Sequence, residues 1–127
     1  MRGIAGLRPG VPGVSDNVRV ISIVGRFLEH ARIFAFTAGG ETTYWIGSAD
    51  MMARNLDNRV ELVTPVEDPA ARAEIQEILD LQLADTALAW ELAADGTWSR
   101  VEPEPGAAPL NSQEALMDRA GRTARPV

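Results

Sequence analysis

The chain contains no cysteine, no lysine and a single histidine. The first absence excludes disulfides, thiolate metal sites and a cysteine nucleophile. The second means that all twelve basic side chains are arginines. The guanidinium is a planar fork that matches phosphate oxygens two at a time. Codon bias in a GC-rich genome produces the same usage, so position, not number, decides which arginines bear on function. A lone histidine makes no metal site without a carboxylate cluster, and no cluster here has ligand spacing. No stretch approaches roughly 18 apolar residues, so no segment is expected to span a membrane. A Gly-rich phosphate loop of the Walker type is also missing, which excludes an ordinary P-loop kinase. The opening Met1–Gly6 is too short and too glycine-rich for a secretory signal. The chain is expected to be soluble and cytoplasmic.

What is present is globular in character. The 127 residues suffice for one domain and are too few for two ordinary ones. Apolar residues make up 46% and charged residues 24%, which argues against general disorder. Charge is divided unevenly along the chain. Residues 1–60 hold seven arginines against five acids, and residues 61–127 five arginines against thirteen acids. An acidic second half excludes general nucleic-acid binding.

Apolar spacing and turn chemistry predict the elements. Gly3–Leu7 reads as a buried strand, followed by a Pro/Gly loop through Gly13. Ser15, Asp16 and Asn17 offer caps for a helix with Val20, Ile23, Val24, Phe27 and Leu28 on one face and Arg19, Ser22 and Arg26 on the other. Strands are expected at Ile33–Phe36 and Thr43–Ile46 about a Gly39-Gly40 turn, and at Val60–Val63. Met51–Asn58 reads as short helix or irregular chain. Asp68-Pro69 opens a helix to about Thr86, burying Ile75, Ile78, Leu79 and Leu83. A hairpin joins Leu88–Leu92 to Thr97–Val101, and Asn111 with Glu114 opens a last helix through Ala120. Strands alternating with helices give a mixed α/β class.

His30 stands out because Arg26 and Arg32 flank it, and because Arg2 and Arg59 are expected to head strands that converge at one end of a sheet. Open α/β sheets place ligands at strand ends. With anionic phosphates nearby, an imidazolium becomes a good donor to phosphoryl oxygens. Ser48, Asp50 and Asn55 lie in the densest polar run beside a strand and offer partners for an imidazole or a phosphate, although such a run also serves as a solvated loop. Trp45, Trp90 and Trp98 read as packing residues, and Met51 and Met52 as gap-fillers.

Three blocks carry a family resemblance: Arg2-Gly3-Ile4; Leu7 through Val20, with its Arg-Pro-Gly-Val-Pro-Gly core; and Ser22-Ile23-Val24-Gly25-Arg26-Phe27-Leu28-Glu29-His30. With Ser48-Ala49-Asp50, Arg54-Asn55-Leu56-Asp57 and Arg59-Val60-Glu61, and more weakly Asn111–Ala120, the chain resembles the C-terminal domain of bacterial polyphosphate kinase. The resemblance implies an α/β, phospholipase-D-like half domain, a mixed β-sheet with flanking helices. Residues 1–120 would form the domain and 121–127 a flexible tail. It implies transfer of the terminal phosphate of ATP to and from polyphosphate through a phosphohistidine. His30 would be a catalytic phosphate ligand, donating to or protonating a phosphoryl oxygen, and Arg2 and Arg59 would bind phosphate beside it.

The same resemblance puts the phosphate-carrying histidine, the adenine-stacking tyrosine and the magnesium-binding arginines in a preceding half. The implied partners are ATP or ADP, polyphosphate and that preceding polypeptide, with homo-oligomers among full-length relatives. Mg2+ is implied as well, with ligands outside this chain. Ala5-Gly6 replaces a cysteine pair, Met51 a tryptophan, and Ala35 an aromatic residue usual in the family. Arg2 is expected inside a continuous strand of a longer enzyme, so the chain reads as a fragment, a split gene product or a truncation, inactive alone. Two other readings compete. One is a noncatalytic polyphosphate-binding remnant. The other is a phospholipase-D-type phosphodiesterase, opposed by Ala31-Arg32 after His30 where that signature needs His-x-Lys.

Overall fold

A computed structural model describes residues 7–50 and 52–123, so the expected strand Gly3–Leu7 falls almost wholly outside the described residues. The elements are β1 (Ile21–Ile23), β2 (Ile33–Ala38), β3 (Glu41–Gly47), α1 (Ala53–Asn58), β4 (Val63–Val66), α2 (Pro69–Leu83), β5 (Ala89–Leu92), β6 (Trp98–Arg100) and α3 (Ser112–Thr123). They fall into two compact units, one of Met1–Glu29 and Asp80–Val127, the other of His30–Leu79. The class is mixed α/β, and the strands form two three-stranded antiparallel sheets.

In the first unit the sheet order is β1-β5-β6. The helix expected after Asn17 does not form. Val18, Val20, Ile21, Ile23 and Val24 are β-branched and stiff at χ1, which favours the pleated strand. Ile21 pairs with Glu91 and Ile23 with Ala89. Val20, Ser22 and Ile23 are buried, whereas Val24, Phe27 and Leu28, expected on the apolar face of that helix, are exposed. Arg19 forms a two-point pair with Glu91 at 3.2 and 3.3 Å. The irregular chain after β1 is held instead by Gln113. Its side chain accepts from the Phe27 amide, and donates to the Phe27 carbonyl at 2.9 Å and to Glu29 at 2.7 Å.

Asp85 organises the rest of this unit. One carboxylate oxygen accepts from the amides of Ala87, Leu88 and Ala89, the other from the amide and hydroxyl of Ser112. That single buried side chain ties the entry of β5 to the first residue of α3. Asn111 caps α3, its side-chain oxygen accepting from the Gln113 and Glu114 amides. The helix runs to Thr123, past the end expected at Ala120. Trp90 is half-buried under the Arg100 guanidinium, 5.7 Å from its ring centroid, while Trp98 on β6 is 38% exposed.

In the second unit the order is β2-β3-β4. Gly39 and Gly40 have φ of 60° and 83°, the two positive values that a two-residue primed turn requires, and only glycine takes both without strain. β4 lies three residues later than expected. Val60 is fully exposed, and Pro65, beyond the end of the expected strand, sits inside β4 opposite Trp45. β4 is an edge strand, where a missing N–H costs no ladder bond. Asp68 caps α2 by accepting from the Ala71 amide, with Pro69 at the first helical position. The buried Tyr44 on β3 donates to Gln76 on α2, and Arg72 donates to the Val66 carbonyl at 2.8 Å. Ile75, Ile78 and Leu79 are half-buried, but Leu83 is 56% exposed.

Candidate phosphate site

Antiparallel register decides where the polar residues of the second unit gather. Ile33 at the start of β2 pairs with Ile46 near the end of β3, and Gly47 pairs with Val63 at the start of β4. The segment before β2, the segment after β3 and the segment before β4 therefore share one end of the sheet. They carry His30 and Arg32, Ser48 and Asp50, and Arg59 and Glu61 respectively. Backbone bonds fix the junction: the Gly47 amide donates to the Arg32 carbonyl at 3.1 Å and the Ser48 amide to the Leu62 carbonyl at 2.9 Å.

Two polar clusters form there. In one, Arg32 donates through Nε to Asp50 at 2.8 Å, and its other two nitrogens lie 3.2 Å from Nδ1 and Nε2 of His30. Imidazole nitrogens point away from one another in the ring plane. A guanidinium that close to both therefore lies over the ring face. All three nitrogens of Arg32 thus stand within 3.2 Å of a neighbour's polar atom. Arg54 stands one turn along, 3.9 Å from the other Asp50 oxygen. In the second cluster Glu61 accepts from the Ser48 hydroxyl at 2.5 Å and from the Asn55 amide at 2.7 Å. Ser48 and Asn55 thus serve a carboxylate, not the imidazole. Asn55 is buried in α1, and its side-chain oxygen finds no partner among the described residues.

The charges reinforce this geometry. The hydrogen bond from Arg32, helped by the charges of Arg32, His30 and Arg54, holds Asp50 below its ordinary value against the upward push of partial burial. The same bond holds Arg32 above its ordinary value. Glu61 is lowered by the Ser48 hydroxyl, then the Asn55 amide, with the charges of Arg59 and Arg32 adding to them. Both acids stay ionised and are spent on neighbours.

His30 is exposed at the rim beside Arg32 and Asp50, while the charge of Arg59 acts on Glu61 in the neighbouring cluster. Arg59 does not head a strand. It follows α1 in extended backbone, exposed and with no hydrogen bond or ion pair among the described residues. Arg2 lies outside the described residues, as does Met51. Arg26 is stacked over the Phe27 ring, 5.2 Å from its centroid, in the first unit. Met52, expected to fill a gap, is 49% exposed. Among the described residues no three acidic or histidine side chains gather to hold a metal. Sequence reasoning gave no role to Glu61. The signal was there, since an acid inside Val-Glu-Leu-Val must find partners or face water.

Residues 1–113 match the family model described as polyphosphate kinase C-terminal domain 2. The chain is 56% identical over 119 residues to a polyphosphate kinase of Thermosynechococcus vestitus, covering 94% of this chain and 16% of that protein. It is 51% identical over 123 residues to a polyphosphate kinase of Streptomyces coelicolor, covering 96% of this chain and again 16% of the relative. Among solved structures it resembles the polyphosphate kinase of Porphyromonas gingivalis, with a TM-score of 0.80 and 36% identity over 89% of this chain and 18% of that one. The chain thus spans about one-sixth of the length of the curated relatives it matches.

Proposed function

The chain belongs to the polyphosphate kinase C-terminal domain family, and from that premise we propose that it supplies one wall of the phosphate site of an ATP:polyphosphate phosphotransferase. The observation that supports the reading is that the segments entering β2 and β4, which carry His30 and Arg59, lie at one end of the β2-β3-β4 sheet. Arg59 is exposed and has no hydrogen bond or ion pair among the described residues, which leaves its fork for phosphate oxygens. His30 is exposed, with Arg32 against its ring nitrogens, and an imidazole N–H suits donation to a phosphoryl oxygen as charge develops. Arg2 would join them from outside the described residues.

Phosphoryl transfer asks a protein mainly for positioning and charge stabilisation. Those are what an imidazole and free guanidiniums offer. The family resemblance gives the covalent phosphate to a different histidine, and this chain has one, His30. On that reading the nucleophile, and the groups that would hold the nucleotide's Mg2+, belong to the part of the relatives that the chain does not span. There a histidine nitrogen attacks the terminal phosphorus of ATP and the bond to the ADP oxygen breaks. His30 and Arg59 bind the moving group's oxygens.

Mixing tests this. The 127-residue chain alone makes no polyphosphate from ATP, and added to a relative truncated before the matching segment it restores synthesis. His30→Ala removes that restored activity. Turnover by the chain alone sinks the proposal, as does restored activity that His30→Ala leaves intact. A second reading, a noncatalytic phosphate-binding module, is favoured by the single histidine. It is supported if the properly folded mixture stays inactive while the chain still binds tripolyphosphate.

A further inference from the structure

His30 sits in irregular chain before β2, where an exposed imidazole would ordinarily sample several rotamers. It does not stand alone. Arg32 covers one ring face, and Asp50, delivered by the end of β3, fixes Arg32 through Nε at 2.8 Å. Arg32 is itself half-buried, and its carbonyl accepts from the Gly47 amide, so the guanidinium is held at both ends of the residue. From this geometry we infer that Arg32, clamped by Asp50, is a positioning residue that fixes the His30 ring and keeps its edge turned toward the incoming phosphate.

The chemistry favours arginine over lysine at this position. Only a guanidinium can reach both imidazole nitrogens while a third nitrogen donates to a carboxylate. A lysine ammonium keeps the charge and loses the two-point contact. The ligand side of the inference rests on the phosphate reading above, and the test keeps the two apart.

The chain's single imidazole gives one set of ring signals in a tag-free protein. In the wild type, nuclear Overhauser contacts are expected between the Arg32 side chain and the His30 ring, without any variant. In Arg32→Lys and Asp50→Ala, backbone spectra stay dispersed while the ring signals move to random-coil positions. Titration with tripolyphosphate supplies the second arm. Arg32→Lys weakens binding about 5-fold in the wild-type background and less than about 2-fold in the His30→Ala background, the coupling expected of residues in contact. Absence of the ring contacts overturns the inference, as does an Arg32→Lys penalty equal in both backgrounds. If His30→Ala binds tripolyphosphate as tightly as wild type, the phosphate reading fails, and the ring signals alone then decide whether Arg32 fixes the imidazole.

Discussion

Asp85 is the residue on which the first unit most depends. Its carboxylate is 1% exposed and accepts five hydrogen bonds. Burial pushes its pKa up, and the bonds from Ser112, Leu88 and Ala89 outweigh that, leaving it below the ordinary value. Asp85→Ala strands these donors and should cost about 3 kcal/mol in urea unfolding. The sign of the pH effect follows from linkage. A carboxylate whose folded value lies below its unfolded one contributes fully above about pH 5, and the contribution is lost as pH falls through the folded value. Wild-type stability should therefore drop on acidification below about pH 5, and Asp85→Asn should flatten that drop in part. Asp50, Glu61 and Asp95 are lowered too and keep their share of the slope. An unchanged slope in Asp85→Asn would remove Asp85 as a source of acid sensitivity.

Between β3 and β4 the critical position is Gly47. A Cβ there would lie 2.6 Å from the Leu62 carbonyl oxygen and 2.9 Å from a Val63 methyl. The oxygen is backbone, and it accepts from the Ser48 amide, so it cannot swing aside. Gly47→Ala should force the strands apart where the polar clusters gather. The expected loss is about 2 kcal/mol of stability, in the range of overpacking, together with weaker tripolyphosphate binding in a titration at matched temperature. Gly25→Ala meets side chains, Leu88 and the Gln113 amide, but Gln113 is the group that holds the chain after β1, so that substitution should be destabilising too. A Gly47→Ala chain as stable as wild type would show that the strands have room to spare. The same scale shows what could be read in advance. The Gly39-Gly40 hairpin, the Asp68-Pro69 helix start and the Trp90/Trp98 hairpin were legible because turn and cap chemistry is local. The false helix over 18–28 arose because a short apolar run fits period 3.6 as well as a strand does, and β-branching was the deciding signal. His30 and Arg59 were legible as candidates. That they share one end of a sheet was expected too, whereas the β2-β3-β4 register that sets that end was not, nor was the contact of Arg32 with the His30 ring, which depends on Asp50 arriving after another strand.

Across the whole chain the apolar core is thin. Among the described residues Val20, Ile23, Tyr44, Ala49 and Ala89 are the buried apolar side chains, whereas Val60, Leu62, Phe36 and Val14 are exposed at 104%, 71%, 61% and 78%. Apolar groups left in water favour association, and the net charge of −6 opposes it through self-repulsion. Salt decides between the two. Its screening shortens the range of repulsion to about 4 Å at roughly 0.5 M, while apolar attraction is untouched. Sedimentation velocity should therefore show association that grows with both protein and salt concentration, and a hydrophobic dye should brighten on the native chain. Val60→Thr combined with Leu62→Gln should reduce both signals and leave the melting temperature within about 2 °C, because neither side chain contributes to the core. Leu62 serves the site only through its backbone, which accepts from Ser48 and donates to the Ser48 hydroxyl, so tripolyphosphate affinity should be unchanged in that pair. A chain that stays monomeric at high salt and leaves the dye dark would mean that these side chains are not an adhesive surface.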